Sequence, residues 1–344
     1  MDKVSVDQLD VNALTEYLRP IIPELGTTFT VEKFAGGQSN PTFKLSNGKD
    51  HFVLRRQPPG KLLKSAHAVD REFRIQSALL ETPVPVAKPI HLCEDASIIG
   101  SMFYVMELVE GNIYWKAALP EVSNTQRGVM YEQMIDVLAA IHSVDIEKVG
   151  LSDYGKPGNY FQRQFDRWQQ QYRAAELAPI AAMEDLMNWL RDHLPEDDGR
   201  CTIVHGDYRL DNLIFAPDNQ KILAVIDWEL STLGHPFADI AYQCMQLRMP
   251  ANIGTISGLM GVDRAALSIP SEEEFVQRYC QTLGIDGIDH WAFYLAFSYF
   301  RLAAIVQGVA KRAVEGNASS KQAQEVGQYV QPLAEFALDV INKA

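Results

Sequence analysis

Cysteine is scarce in this chain. Four of 344 residues, Cys93, Cys201, Cys244 and Cys280, are cysteines, and no two form a C-x-x-C pair. That excludes a disulfide framework and a thiolate zinc site, and it points to reduced thiols in a cytoplasmic protein. Positive charge is short as well: 31 Lys and Arg against 44 Asp and Glu give a formal net charge of −13. An extended nucleic-acid footprint is therefore not expected. Acidic residues from Asp2 onward stand where a secretory leader would carry a basic and then an apolar segment. No internal repeat or low-complexity tract is present. One stretch, Trp291 to Ala310, is apolar over about the length of a membrane span. Arg301 in its middle, with Ser298 and Gln307, marks it as a buried core helix, and no membrane partner is expected. The oligomeric state is not legible.

What is present is a globular composition, 47% hydrophobic and 22% charged, long enough for a large two-lobed domain or two ordinary ones. Leu9, Leu14, Tyr17, Leu18 and Ile21 fall at helical spacing within Val6 to Ile22, which Pro20 and Pro23 close. After Gly26 the pattern becomes short and β-rich: Phe29 to Phe34, Thr42 to Leu45 and His51 to Arg55, with Asn47-Gly48 as a hairpin signal. A helix over Ser65 to Leu80 follows, then strands at Val84 to Leu92 and Met102 to Leu108. This order predicts a five-stranded antiparallel sheet with one helix against it. Beyond the linker Glu110-Gly111-Asn112 the chain turns helical, with helices expected at Thr125–His142, Tyr160–Leu177, Glu184–His193, Ala238–Leu247, Glu272–Leu283, Trp291–Arg312 and Lys321–Asn342. The division that results is 1–25 (N-terminal helix), 26–110 (sheet lobe) and 111–344 (helical lobe). The fold class is α+β.

The chemistry concentrates in Ile203-Val-His-Gly-Asp-Tyr-Arg-Leu-Asp-Asn-Leu-Ile-Phe215 and Leu223-Ala-Val-Ile-Asp-Trp-Glu229. A carboxylate, Asp207, is followed five residues on by the carboxamide of Asn212. A hairpin turning at Pro217-Asp218-Asn219 then delivers a second carboxylate, Asp227. Phosphoryl transfer needs a group that orients the attacking hydroxyl and takes its proton, and oxygen ligands for Mg²⁺ on the phosphates. Asp207 fits the first task, Asn212 and Asp227 the second. A polar loop between two buried strands, its Asp and Asn residues serving as turn formers, is the bland alternative. In the sheet lobe, Gly36-Gly37-Gln38-Ser39-Asn40 between two strands suits a turn covering phosphates with backbone N–H groups, although most Gly-Gly pairs are simply turns.

His205-x-Asp207-x-x-x-x-Asn212 with Ile226-Asp227 resembles the catalytic and metal-binding motifs of the protein-kinase-like fold, specifically its aminoglycoside phosphotransferase family. The likeness covers nearly the whole chain. Phe34-Ala-Gly-Gly-Gln-Ser-Asn-Pro-Thr-Phe43 and Val53-Leu-Arg-Arg-Gln-Pro-Pro-Gly60 look closest to a subgroup found alone in bacteria or fused to acyl-CoA dehydrogenase domains. The resemblance implies a two-lobed fold, with a small antiparallel-sheet lobe carrying one main helix and a larger, mostly helical lobe.

It also implies roles for individual residues. His205 is structural. Arg209, two residues after the base, faces charge on the transferred group, or instead pairs with Asp211 or Glu229. Asp239 is the buried aspartate that holds the catalytic loop's backbone, or else the N-cap of the following helix. Val53 and Arg55 share a strand face, with Arg55 where the fold commonly has a phosphate-contacting lysine. Glu72 is the helix glutamate paired with it, or a solvated charge. Met106 sits behind the adenine, while the Glu107 carbonyl and the Val109 N–H face its edge. Gly206, where protein kinases carry an arginine, and the eleven residues between Asp227 and Asp239 argue against a phospho-regulated protein kinase.

The expected function is transfer of the γ-phosphoryl group of Mg-ATP to the hydroxyl of a small molecule, with ATP and Mg²⁺ as cofactors. Within the subgroup, a hydroxyacyl or acyl-CoA-related acceptor is favoured over an aminoglycoside antibiotic, with Arg56, Lys61 and Lys64 as a CoA-phosphate contact or a solvated basic stretch. A catalytically silent nucleotide-binding module and a metal-dependent phosphohydrolase are the rivals, the latter short of histidine ligands.

Overall fold

Residues 9–34, 40–58, 67–251, 257–315 and 326–343 are described by the structure, a computed structural model. Contacts divide the chain into two units: Met1–Asn112 with Val149–Leu151 and Asn212–Ser231, and Ile113–Lys148 with Ser152–Asp211 and Thr232–Ala344. No single cut of the chain makes this division, because the hairpin after Asn212 is counted with the sheet.

The first unit is built on five antiparallel strands, β1 (Thr30–Lys33), β2 (Thr42–Ser46), β3 (His51–Arg56), β4 (Pro89–Cys93) and β5 (Phe103–Glu107), in the order β1-β2-β3-β5-β4. The β2–β3 connection is four residues rather than a two-residue turn. Gly48 takes φ 90°, and the Asn47 carboxamide accepts the N–H groups of Lys49 and Asp50 at 2.8 and 2.7 Å. The side chain of Asn47, not its φ, closes the turn.

Strand alternation divides the sheet into two faces. Phe43, Leu45, Leu54, Phe103 and Val105 pack with Leu14 and Leu18 of α1 (Val11–Leu18) and with Ile22 and Leu25 beyond it. Asp10 starts α1 by accepting the Ala13 N–H at 3.0 Å, so the helix is shorter than the 6–22 pattern suggests. Fully burying each such leucine contributes about 1.5–3 kcal/mol. Arg56, read as a phosphate contact or a solvated charge, lies buried on this face with its guanidinium over Phe43. Lys61 and Lys64 fall outside the described residues. The opposite face meets α2 (Val69–Leu79), which packs on β4 and β5. The hairpin of β7 (Leu213–Phe215) and β8 (Ile222–Val225) completes the unit, turning through Asn219 at φ 61°.

The second unit is helical: α3 (Asn124–His142), α4 (Tyr160–Ala175), α5 (Ala181–Asp192), α6 (Phe237–Arg248), α7 (Glu272–Leu283), α8 (Trp291–Val314) and α9 (Val330–Asn342), with a two-stranded ladder of β6 (Thr202–Val204) and β9 (Thr232–Gly234). Helix α9 follows a 3-10 turn at Gly327–Tyr329, and the predicted start at Lys321 lies outside the described residues. Capping boxes at Ser123/Gln126 and Ser271/Glu274 start α3 and α7. Helix α8 is long and apolar enough to cross a membrane by composition, yet 72% of that window is buried, and it packs on α4, α5, α6 and α9.

Candidate active site

The face of β3 opposite α1 carries Val53 and Arg55. Arg55 Nε lies 2.8 Å from Glu72 Oε2, and its Nη2 lies 2.5 Å from Asp227 Oδ1 and 3.9 Å from Glu229 Oε2. Glu72 is thus the ion-pair partner of Arg55 rather than a solvated helix charge. Its carboxylate also accepts from Asn40 Nδ2 at 2.8 Å and from the Tyr104 hydroxyl at 3.2 Å. Asn40, expected as a phosphate contact, has its carboxamide engaged by Glu72 and by His67 Nδ1 at 3.0 Å. Its companions in that turn, Gly37 and Ser39, lie outside the described residues.

One guanidinium faces three carboxylates. Burial pushes the Glu72 carboxyl up, Arg55 opposes this, Asp227 and Glu229 add to it, and the result is about 7. Burial works against the charge of Arg55, but Glu72 and then Asp227 hold its proton well above the ordinary range. We read the pair as a permanently charged guanidinium beside a carboxylate of raised proton affinity.

The β7–β8 hairpin sets the two oxygen-bearing side chains next to one another along the backbone. Ile226 donates its N–H to the Asn212 carbonyl at 2.9 Å, and Asp227 follows immediately. Asp227 takes the left-handed conformation, φ 66° and ψ 56°, uncommon outside glycine and tolerated by Asp. Its side chain is 34% exposed, while that of Glu72 is 1% exposed. A carboxamide and a carboxylate oxygen beside further carboxylates fit a hard divalent cation, which takes one or two protein oxygens and leaves its other positions to phosphate and water. Among the described residues no group of three or more His, Cys, Asp or Glu side chains gathers as a metal site.

Val53 and Met106 are cross-strand partners on β3 and β5, and Glu107 pairs with Phe52 and donates its N–H to Lys88 O at 2.9 Å. Val109 lies just beyond β5. Asn112 exchanges two backbone hydrogen bonds of 2.8 Å with Phe215. Gly111 next to it leaves no room for a side chain: a Cβ there would stand 2.3 Å from the Phe215 carbonyl oxygen.

In the second unit β6 leads into His205, Gly206 and Asp207. Gly206 takes φ 84°. Asp239 of α6, fully buried, accepts the N–H groups of His205 at 2.7 Å and Gly206 at 2.9 Å. It is therefore the loop-holding aspartate, and the N-cap of α6 is Pro236 instead. Burial would raise the Asp239 carboxyl, but His142, His205 and the Gly206 N–H hold it below the ordinary carboxylate range. His205 is buried, and its Nδ1 accepts the Asp207 N–H at 3.2 Å, a structural role. Arg209 pairs with Asp211 at 2.8 Å and lies 3.5 Å from Asp207 Oδ2.

Two residues escaped the sequence reading. The Tyr242 hydroxyl donates to Asp207 Oδ1 at 2.9 Å. Burial and then the Asp207 carboxylate hold this phenol well above its ordinary range, so it stays a donor. Arg301, the interruption in the apolar helix, donates from Nη2 to the Gly206 carbonyl at 2.6 Å, and its guanidinium lies over the Tyr242 ring at 5.5 Å. The available signal was the spacing: Tyr242 stands three residues after Asp239, on the same helical face.

With this geometry in hand, known proteins decide the family. The profile of the phosphotransferase enzyme family matches residues 30–295. The chain belongs to that family. Acyl-CoA dehydrogenase family member 10 of Mus musculus is 48% identical over 336 residues, 96% of this chain and 31% of that protein. The chain thus spans about a third of the length of this relative. A crystal structure from Ralstonia eutropha, named for the aminoglycoside phosphotransferases, shares 46% identity and a TM-score of 0.89 over 98% of this chain and 99% of that one. A thermostable mutant of aminoglycoside phosphotransferase APH(4)-Ia, in ternary complex with AMP-PNP and hygromycin B, is alike in fold alone: TM-score 0.61 at 14% identity, over 96% and 99% of the two chains. The resemblance read from the motifs is borne out, including its tie to proteins named for acyl-CoA dehydrogenation, and so is the α+β protein-kinase-like fold.

Proposed function

We propose that the chain transfers the γ-phosphoryl group of Mg-ATP to a hydroxyl of a small molecule, and that the acceptor is a hydroxylated acyl chain, free or as its CoA thioester. The observation that carries this reading is the cluster of Arg55 with Glu72, Asp227 and Glu229, which sets a charged guanidinium for phosphate beside carboxylate oxygens for a cation. Asn212 and Asp227 would hold Mg²⁺, which when bound offsets phosphate charge during transfer. Arg55, kept charged by its carboxylate neighbours, serves the nucleotide phosphates in the place of the usual lysine.

On the acceptor side, Asp207 orients the hydroxyl and takes its proton as the oxygen bonds to the γ-phosphorus and the bond to the leaving ADP breaks. Tyr242 holds Oδ1 of Asp207, which fixes the rotation of the carboxylate. Arg209 stands near Oδ2 and, partly neutralised by Asp211, meets charge developing on the transferred group. Val53, Met106, the Glu107 carbonyl and the Val109 N–H would form the adenine side.

The relative named for acyl-CoA dehydrogenation favours the acyl acceptor. The Ralstonia chain's name favours a second reading, an aminoglycoside acceptor. Incubation with Mg-ATP and separate panels of hydroxylated fatty acids, their CoA thioesters and aminoglycosides, read by mass spectrometry, separates the two. A phosphorylated acyl product supports the first reading, a phosphorylated antibiotic supports the second, and nucleotide binding without any product defeats both.

A further inference from the structure

Within the second unit, a cavity of about 20 Å³ adjoins the catalytic loop. Its lining includes Trp115, Arg209, Asp211, Gln243, Gln246 and Ser257. Two of these side chains end in buried polar atoms with no hydrogen-bond partner, Gln243 Oε1 and Gln246 Nε2. The residues are only 3% and 8% exposed, and leaving such groups unmatched is costly. They extend the stripe of α6 that already carries Asp239 and Tyr242: positions 239, 242, 243 and 246 share one helical face. The same face that holds the loop and orients Asp207 thus also presents an unmatched acceptor and an unmatched donor beside Arg209 and Asp211.

We propose that this cavity is the acceptor's anchoring subsite, and that it takes an uncharged amide. An amide donates its N–H to Gln243 and accepts the N–H of Gln246, whereas a carboxylate has nothing to donate and an ammonium nothing to accept. Other polar lining groups are engaged: Asp211 pairs with Arg209 at 2.8 Å, and Ser257 Oγ accepts the Ala117 N–H at 3.3 Å. Among the described lining residues Asp211 is the one carboxylate, so a polycationic acceptor gains no further carboxylate here. The volume admits one small polar group rather than a whole molecule. Trp115, 65% exposed, offers an indole surface to the flat or apolar part that follows. The name acceptor subsite rests on the proposed kinase function; the amide preference does not.

The test needs no turnover. The full chain is labelled with 5-fluorotryptophan, and the Trp115 line is assigned with Trp115→Phe. N-methylacetamide, acetate, methylammonium and ethanol are titrated separately while that line is followed by fluorine NMR. A saturable shift with N-methylacetamide is expected, weakened roughly tenfold or more in Gln243→Leu and in Gln246→Leu, with acetate and methylammonium giving none. Both substitutions replace an unmatched polar group by an apolar one of similar shape, and the folded melting profile is expected to persist. No saturation, an equal response to ethanol, or an unchanged response in both variants overturns the proposal, the cavity then holding water only. Saturation without any phosphorylated product defeats the kinase reading and leaves the subsite standing; phosphorylated product with no saturation defeats the subsite alone.

Discussion

The two charged centres of the molecule are held in opposite ways. In the first unit Arg55 faces three carboxylates, and Asp227 is partly open to solvent. In the second unit Asp207 meets the Tyr242 hydroxyl at Oδ1 and Arg209, itself paired with Asp211, at Oδ2, with Asp239 and Arg301 fixing the peptide groups just before it. The first arrangement gathers carboxylates around one cation and, in the proposed function, takes a second cation with the nucleotide. The second is closed by the protein itself and has only an orientation to protect. Charge balance left to a ligand tunes binding; geometry fixed by hydrogen bonds tunes a rate. Perturbing the two centres should therefore give different signatures.

The largest effect on stability should follow from Asp239→Ala, which leaves two loop N–H groups and His142 without their carboxylate. A loss of about 3–5 kcal/mol is expected in chemical denaturation. Its carboxyl is held below the ordinary range, so its contribution is present above the unfolded value and lost as pH falls, and the variant should show a weaker decline in acid. In the first unit, Asp227→Ala should abolish the thermal stabilisation given by Mg-ATP, about 2.7 kcal/mol at a hundredfold excess over Kd, while leaving the fold intact. Retained stabilisation would break the comparison at its metal end.

Tyr242→Phe should be smaller and purely kinetic: roughly a ten- to hundredfold fall in kcat, with nucleotide KM and melting temperature unchanged. A parallel loss of stability would make the tyrosine a packing residue instead. A separate effect, read in pH rather than in rate, concerns Glu72. Its folded value of about 7 exceeds the ordinary 4.5, so its contribution is full below the ordinary value and is lost as pH rises through 7. In metal-free buffer the denaturation midpoint should fall across that window, and Glu72→Gln should flatten the fall.

Much of this was legible in the sequence because it rests on local spacing. Asp207, Asn212 and Asp227 stand out as candidates through their intervals, and the five strands through alternation and Asn47-Gly48. Arg55 and Glu72 were matched only by resemblance, since nothing local joins a strand arginine to a helix glutamate seventeen positions on. Tyr242, Arg301 and the role of Asn40 were missed for the same physical reason. Their partners are 35, 95 and 32 residues away, and such pairings become visible only once tertiary packing is known. Arg56 misled because strand alternation, which set Val53 and Arg55 on one face, sends the next basic residue to the other, under α1.

The most direct test compares Asp207→Asn with the wild-type chain in two assays on the same preparation, stabilisation by Mg-ATP and ADP formation with a hydroxylated acyl acceptor. Full nucleotide stabilisation with turnover reduced roughly 10²–10⁴-fold is the predicted result. Turnover that survives unchanged in Asp207→Asn would contradict it.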